Sequence, residues 1–181
     1  PGNRYLNITS AIPLMNHTNC REIFLRLQAA NPHPTTELEY RTPFELLVAV
    51  LLSAQATDVS VNTATRQLFP VANTPQAMLA LGEERLREYI QRIGLYKTKA
   101  RHLMQTCRLL VEQHGGEVPH TMDELTALAG VGRKTANVVL GNAFDINIGI
   151  VVDTHVTRLA NRLGLTRQSD AVKIEQELMP Q

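Results

Sequence analysis

The sequence predicts an all-α fold, and three features carry that prediction. Residues that cap helices recur along the chain, apolar residues repeat at three- and four-residue spacing, and the connections between these patterns are short. Evidence for strands is confined to one β-rich run, Ile146 to Val152, which is as easily an extended connector between lobes. A chain of 181 residues is long enough for one substantial core or for two small lobes that share a cleft.

Threonine and proline mark the starts of three helices. Thr42-Pro-Phe-Glu45 combines an N-cap threonine, a proline at the first helical position and a capping-box glutamate. Thr74 with Pro75 starts another helix in the same way, and Thr121 with Glu124 forms a second capping box. We expect a helix directly after each of these threonines.

Apolar stripes at helical spacing define further helices, most of which end at a glycine. The stripes are Leu86, Tyr89, Ile90 and Ile93; Ala100, Leu103, Cys107, Leu110 and Val111; Ala136, Val139, Leu140 and Ala143; and Val156, Leu159, Ala160 and Leu163. One more helix begins near Ala171.

Composition excludes several classes of protein. Two cysteines, Cys20 and Cys107, are too few for a disulfide scaffold or a multi-cysteine metal site. A formal charge of +1 gives no support to nucleic-acid binding, and the cluster of Arg92, Lys97, Lys99 and Arg101 is more typical of a solvated helix face. Because no apolar run reaches membrane-spanning length and the N-terminal residues lack a signal-peptide pattern, we expect a cytoplasmic protein.

The stretch Leu128-Ala-Gly-Val-Gly-Arg-Lys134 predicts a helix end, a glycine hairpin and a helix start. Gly130 and Gly132 can take the positive φ that a tight reversal needs, and neither places a Cβ in the way of an approaching backbone. The first amides of the next helix would point outward and could bind one phosphate. Lys134 would lie in the first turn of that helix, and Asp153 could face it across a cleft. A phosphate site, an amine and a carboxylate together indicate chemistry on a nucleic-acid backbone.

Five motifs resemble the bacterial endonuclease III family of helix-hairpin-helix DNA glycosylases. They are Pro32-His-Pro-Thr-Thr-Glu-Leu38, Leu51-Leu-Ser-Ala-Gln-Ala-Thr-Asp58, Ile93-Gly-Leu-Tyr96, the hairpin, and Val152-Asp-Thr-His155. The resemblance implies a six-helix barrel over about 36–147, with its helix-hairpin-helix at about 121–144. A second helical lobe would comprise 15–35 and 148–181.

The resemblance also implies a bifunctional enzyme of base-excision repair. It would remove oxidised pyrimidines from double-stranded DNA and cut the resulting abasic site by β-elimination. Lys134 would be the nucleophile that forms a Schiff base, since the neighbouring Arg133 cannot lose its proton. Asp153 would be the second catalytic residue, and it is also well placed to cap the helix that follows.

Further residues would contact the DNA. The resemblance implies that Gln55 fills the gap left by a flipped nucleotide and that Leu95 is an apolar wedge between bases. The hairpin residues Gly130, Val131, Gly132, Arg133 and Thr135 would bind phosphate, and His155 could do so or could order the Asp153 segment.

The family's 4Fe-4S cluster has no ligands here. The resemblance implies four cysteines near the C-terminus, spaced roughly C-x6-C-x2-C-x5-C, and this sequence has no such set. We therefore expect a C-terminally incomplete second lobe and no metal site in these residues. Residues 1–14 show no periodicity and are expected to be a non-native or disordered extension.

Two other functions stay open at this point. An adenine-mismatch glycosylase of the same superfamily is one, although those enzymes generally lack the hairpin lysine. A non-catalytic helix-hairpin-helix fragment that binds DNA is the other. In each case we expect a monomer without membrane partners, associated with the bacterial nucleoid.

Overall fold

The computed structural model describes residues 14–32 and 34–179, and every regular element within those residues is an α-helix. In chain order the helices are α1 His17–Ala30, α2 Pro43–Ser53, α3 Asp58–Leu68, α4 Pro75–Leu81, α5 Glu83–Ile90, α6 Tyr96–His114, α7 Met122–Ala127, α8 Arg133–Phe144, α9 Thr154–Leu163 and α10 Ala171–Leu178. The all-α prediction is confirmed, and Ile146–Val152 forms a connector rather than a strand. The predicted extension over 1–14 lies outside the described residues except for Leu14.

The chain divides into two compact units. The larger unit spans Pro34–Val151 and holds α2 to α8, whereas the smaller unit holds α1, α9 and α10. The assignment of 36–147 to a six-helix barrel, with 15–35 and 148–181 in a second lobe, stays a prediction.

Helix α2 is the centre of the larger unit because nearly all of its residues are apolar. Every position from Phe44 to Leu52 is buried, which is expected of a helix that is hydrophobic on all sides. It packs against α3, α6 and α8. Glu45 is the one charged residue in this buried run, and its Oε2 accepts a 2.7 Å hydrogen bond from the backbone N–H of Arg41.

The predicted helix starts are confirmed, but the glutamate of each predicted capping box bonds a different partner from the standard one. Thr42, Thr74 and Thr121 are the N-caps of α2, α4 and α7, and each accepts a hydrogen bond from a first-turn amide. A standard capping box would join Glu45 to the N–H of Thr42. Here the Glu45 carboxylate reaches one residue further back, to the N–H of Arg41. In the second predicted box, the Glu124 carboxylate accepts a hydrogen bond from the hydroxyl of Thr121.

The smaller unit is held together near Gly164. The backbone N–H of Met15 donates a 2.7 Å hydrogen bond to the carbonyl of Gly164, which ends α9 in the left-handed conformation. The carboxylate of Glu177 in α10 accepts hydrogen bonds from Thr166 and Gln168 in the α9–α10 connection. The pKa of Glu177 is lowered by these two bonds.

Lys99 is buried in the larger unit, which contradicts the prediction of a solvated basic face. Its side chain is 7% exposed, and its Nζ donates a 2.8 Å hydrogen bond to the carbonyl of Leu52 at the end of α2. Arg92, Lys97 and Arg101 are exposed as predicted. Burial lowers the pKa of Lys99, because removal from water penalises the charged form.

A pH dependence of stability follows from this burial. Between the lowered pKa of folded Lys99 and its ordinary value of 10.5, the unfolded chain binds more protons than the folded one. The free energy of unfolding should therefore rise with pH in that window, relative to Lys99→Met, which has no titrating group at this position. Urea denaturation at intervals between pH 7.5 and 10.5 measures the difference.

Lys97→Met is the matched control, since Lys97 is exposed on the same helix. Its unfolding curve should follow that of the wild type at each pH. A constant difference between wild type and Lys99→Met across the range would contradict the account of Lys99.

Candidate active site and nucleic-acid interface

The hairpin between α7 and α8 is a pair of tight turns fixed by buried side chains. The N–H of Leu128 bonds to the carbonyl of Leu125, and the N–H of Val131 bonds to the carbonyl of Leu128. Leu128 and Val131 are both buried, so the turn is anchored to the core of the larger unit. Gly130 has a φ of +78°, and an added Cβ would lie 2.8 Å from Nδ1 of His102. Glycine is therefore required at position 130 by the fold itself.

Gly132 differs from Gly130, and the prediction that both take positive φ is wrong for it. Its φ is −95°, which any residue can adopt, and an added Cβ would meet no atom within 4 Å. Neither backbone conformation nor internal packing requires glycine at position 132. The space beside it is open for the approach of another molecule's backbone.

The first turn of α8 is electropositive and has no side-chain cap. Gly132 is its N-cap and offers no side-chain acceptor, and the first turn contains no acidic residue. Arg133 and Lys134 occupy that turn instead, at the positive end of the helix dipole. Two cations at this position weaken an isolated helix, and an anion bound to the first-turn amides would reverse that effect.

Lys134 lies on the exposed side of this turn, in the position that the sequence predicts. Arg133 and Gly132 are exposed beside it, and Thr135 is half-buried. A free amine and the first-turn amides are thus presented together by one short segment.

Asp153 and His155 lie in the smaller unit, at the start of α9. Asp153 is the N-cap: its Oδ1 accepts hydrogen bonds from the N–H groups of His155 and Val156, at 2.9 and 2.8 Å. Its Oδ2 lies 3.3 Å from Nδ1 of His155, whose ring is largely exposed. The carboxylate is therefore held in a defined orientation from both sides. That it faces Lys134 across a cleft stays a prediction.

Gln55 and Leu95 share an uncommon backbone conformation. Their φ values are +55° and +59°, and both residues are exposed, Leu95 by 61%. Left-handed backbone at a residue other than glycine is strained and often marks a functional position. The two loops adjoin, because a Cβ added at Gly94 would lie 3.5 Å from the carbonyl oxygen of Gln55. The larger unit thus brings Gln55 and Leu95 together.

Comparisons with known proteins show the family of this chain. Residues 48–180 match the HhH-GPD superfamily base excision DNA repair protein. Endonuclease III of Haemophilus influenzae is 58% identical over 165 residues, which are 91% of this chain and 78% of that protein. The chain belongs to the endonuclease III family.

Two solved structures of endonuclease III have the same fold. One is a non-covalent endonuclease III–DNA complex and the other a trapped endonuclease III–DNA covalent intermediate. Each is 43% identical to this chain, with a TM-score of 0.87, and the match covers 92% of this chain and 78% of the other. The helix-hairpin-helix glycosylase fold and an enzymatic role in base-excision repair are thereby confirmed.

The iron-sulfur cluster of the endonuclease III family does not fit the residues of this chain. The two cysteines of this chain lie in different units, Cys20 in α1 and Cys107 in α6, and both are buried. Burial raises the pKa of Cys107 to about 12, and a metal ligand must be a thiolate. No group of three or more metal-binding side chains exists among the described residues.

The described part of the chain also contains no helix with the length and apolar character needed to cross a membrane.

Lys99 is the residue near this site that sequence reasoning missed. Lys99 lies on the inner face of α6. The residues at positions 96, 99, 103, 106 and 110 recur at three- and four-residue spacing along that face, and each is buried or half-buried. This spacing predicts a buried residue at position 99, whereas the charge of lysine predicts an exposed one.

The two hairpin glycines should respond differently to alanine. Gly132→Ala should change the free energy of unfolding by less than about 1 kcal/mol, because nothing inside the protein contacts that position. It should weaken duplex DNA binding roughly tenfold or more by obstructing a phosphate contact. Gly130→Ala should cost about 2 kcal/mol of stability, from left-handed strain and the contact with His102. Thermal unfolding and fluorescence anisotropy measure the two effects.

A Gly132→Ala protein that binds DNA like the wild type would contradict the assignment of this open space to the nucleic acid.

Proposed function

We propose that this chain is a bifunctional DNA glycosylase and abasic-site lyase that acts on oxidised pyrimidines in double-stranded DNA. The observation that carries the proposal is Lys134 itself: an exposed amine in the first turn of a glycine-capped helix that carries no acid to balance it. A first turn without a side-chain cap, at the positive end of a helix dipole, favours binding of an anion. A backbone phosphate bound there would hold a deoxyribose close to the amine.

The nucleophile is Lys134 rather than Arg133. An unprotonated amine can attack the sugar C1′, and a guanidinium remains protonated in proteins. As the Nζ–C1′ bond forms, the bond from C1′ to the base breaks, and the base leaves with the electron pair and takes up a proton. Loss of a proton from nitrogen and opening of the sugar ring give an imine between lysine and C1′.

The imine then permits strand cleavage. It acidifies the C2′ proton, and removal of that proton expels the 3′ phosphate by β-elimination. Water hydrolyses the imine and releases Lys134. The endonuclease III trapped as a covalent intermediate with DNA supports this route for a relative of the same fold.

Asp153 is proposed to stabilise the positive charge that develops on the sugar. Its carboxylate is oriented by two backbone amides and by His155, so no reorganisation is needed when that charge appears. His155 thereby acts as an orienting residue. The N-cap role and the electrostatic role use the same carboxylate and are compatible.

The nucleotide must leave the base stack before this chemistry, because a base within a duplex is out of reach. We propose that the side chain of Leu95 enters the stack and that the amide of Gln55 occupies the vacated position. Two adjoining loops support this assignment, because each presents an exposed residue in a strained left-handed conformation. Arg133 and Thr135, with the amides of Gly130, Val131 and Gly132, are proposed to bind the flanking phosphate.

We further propose that the protein acts as a monomer at the bacterial nucleoid, where its substrate lies. One strand lesion offers one sugar to one lysine, so a single copy suffices for the reaction.

Borohydride trapping on a duplex with an abasic site tests the nucleophile. Wild-type protein should give a covalent adduct, because borohydride reduces the imine to a stable amine. Lys134→Ala and Lys134→Arg should give no detectable adduct, although both should still bind the duplex. The affinity of Lys134→Arg for the duplex should be closer to that of the wild type, because arginine keeps the positive charge. Arg133→Lys is the control and should still be trapped.

A wild-type protein that binds the duplex but forms no adduct would favour a non-catalytic DNA-binding function. Equal trapping by Lys134→Ala would contradict the residue assignment.

Asp153→Asn separates the two roles of Asp153. Asparagine caps helices as well as aspartate does, so the free energy of unfolding should change by less than about 1 kcal/mol. Loss of the negative charge should lower the single-turnover rate of base excision by roughly 10²-fold or more. Asp170→Asn is the matched control, since Asp170 caps α10 in the same unit through its bond to the N–H of Lys173.

The control variant should keep both stability and rate. If Asp153→Asn kept the wild-type rate as well, Asp153 would be a structural cap only.

A further inference from the structure

One face of helix α6 meets each segment of the larger unit that is proposed to contact DNA. Leu95 directly precedes the helix, and Lys99, His102 and Thr106 follow at spacings of four, three and four residues. Residues at this spacing lie on the same side of a helix. The three side chains reach two other segments, the end of α2 before Gln55 and the hairpin before Lys134.

Lys99 holds the end of α2. The carbonyl of Leu52 is among the last four of that helix, which lack a partner within the helix. The chain turns away just beyond it, where the N–H of Ala56 bonds back to the carbonyl of Ser53. The ammonium of Lys99 donates to Leu52 at 2.8 Å and lies at the negative end of the α2 dipole. Gln55 is three residues further on.

Thr106 and His102 hold the hairpin from the same helix. Oγ1 of Thr106, which is fully buried, donates a 3.1 Å hydrogen bond to the carbonyl of Ala129. One turn earlier, the ring of His102 lies against Gly130. The hairpin is therefore fixed to α6 directly before the residues that open α8.

A gain in folding stability does not explain a lysine at position 99. A buried ammonium loses its hydration, and one carbonyl replaces only part of it. An apolar side chain of similar length would fill the same volume without that loss. What an apolar side chain cannot do is fix the position of the Leu52 carbonyl through a directional bond.

We propose that Lys99 and Thr106 are positioning residues, which set the placement of the Gln55 loop, the Leu95 turn and the hairpin relative to one another. The inference rests on the proposed function, because it concerns the three segments assigned to DNA. Neither residue touches the substrate. Both act through backbone carbonyls, and displacement of a bound group by about 1 Å is enough to lower catalytic efficiency strongly.

The test compares Lys99→Met and Thr106→Val with matched controls in the full chain. Methionine keeps the length of lysine and valine keeps the shape of threonine, while each removes the donor. Lys97→Met and Thr126→Val are the controls: Lys97 is exposed on α6, and the Thr126 hydroxyl bonds only within its own helix, to Met122 and Asp123.

Three measurements separate positioning from stability. Fluorescence of 2-aminopurine opposite an abasic-site analogue reports insertion of Gln55 and Leu95 into the duplex, and anisotropy gives the Kd. The rate of borohydride trapping at saturating abasic duplex reports the lysine chemistry. All are made at 20 °C, with thermal unfolding recorded in parallel.

Lys99→Met should lose most of the 2-aminopurine signal and bind about tenfold more weakly. Its trapping rate at saturation should change less than threefold, because an abasic site has no base that must leave the stack before lysine attacks. Thr106→Val should show the reverse pattern, with a slower trapping rate and a retained 2-aminopurine signal. The reason is that loss of the Thr106 donor displaces the hairpin and, with it, Lys134. The two controls should match the wild type in all three measurements.

A Lys99→Met or Thr106→Val protein that differs from the wild type in melting temperature alone would overturn the proposal. If Lys99→Met did not fold, the Thr106→Val result would decide whether this face of α6 positions the site. A wild-type protein that binds but is not trapped would contradict the proposed function only, because the fluorescence and Kd comparisons still test positioning.

Discussion

The larger unit depends on the burial of α2. A helix with apolar residues on every side has no face that can remain in water, so other helices must surround it. α3, α6 and α8 do so, and each of them, or the turn that precedes it, carries a segment assigned to DNA. The site is therefore built around one helix that takes no part in the chemistry. The loop that follows its C-terminus carries Gln55, which is exposed.

Much of this arrangement could be read from the sequence because it follows from local rules. Thr42, Thr74 and Thr121 predict helix starts correctly, since an N-cap depends on residues within one turn. The first-turn position of Lys134 follows in the same way from the hairpin glycines. Family resemblance then supplied roles for residues, such as Gln55, whose local pattern is uninformative.

The errors came from features that depend on tertiary contacts. Lysine is usually exposed, so the sequence predicts Lys99 in solvent, whereas in the folded unit its buried ammonium bonds to the carbonyl of Leu52. The sequence predicts positive φ at Gly132, but within the hairpin only Gly130 has it, and there the ring of His102 also excludes a side chain. The left-handed conformations of Gln55 and Leu95 have no sequence signal, since neither residue favours them.

The uncapped start of α8 has a consequence for the lifetime of the protein. Its first turn contains no acidic residue and its N-cap, Gly132, offers no side-chain acceptor, so no side chain caps the first-turn amides at the positive end of the helix dipole. A phosphate bound to these amides would serve as the cap that no side chain supplies. Any ligand that binds only the folded state raises the free energy of unfolding, and transiently unfolded molecules are those that proteases degrade. A copy bound to DNA through these amides would therefore unfold, and be degraded, less readily than an unbound copy.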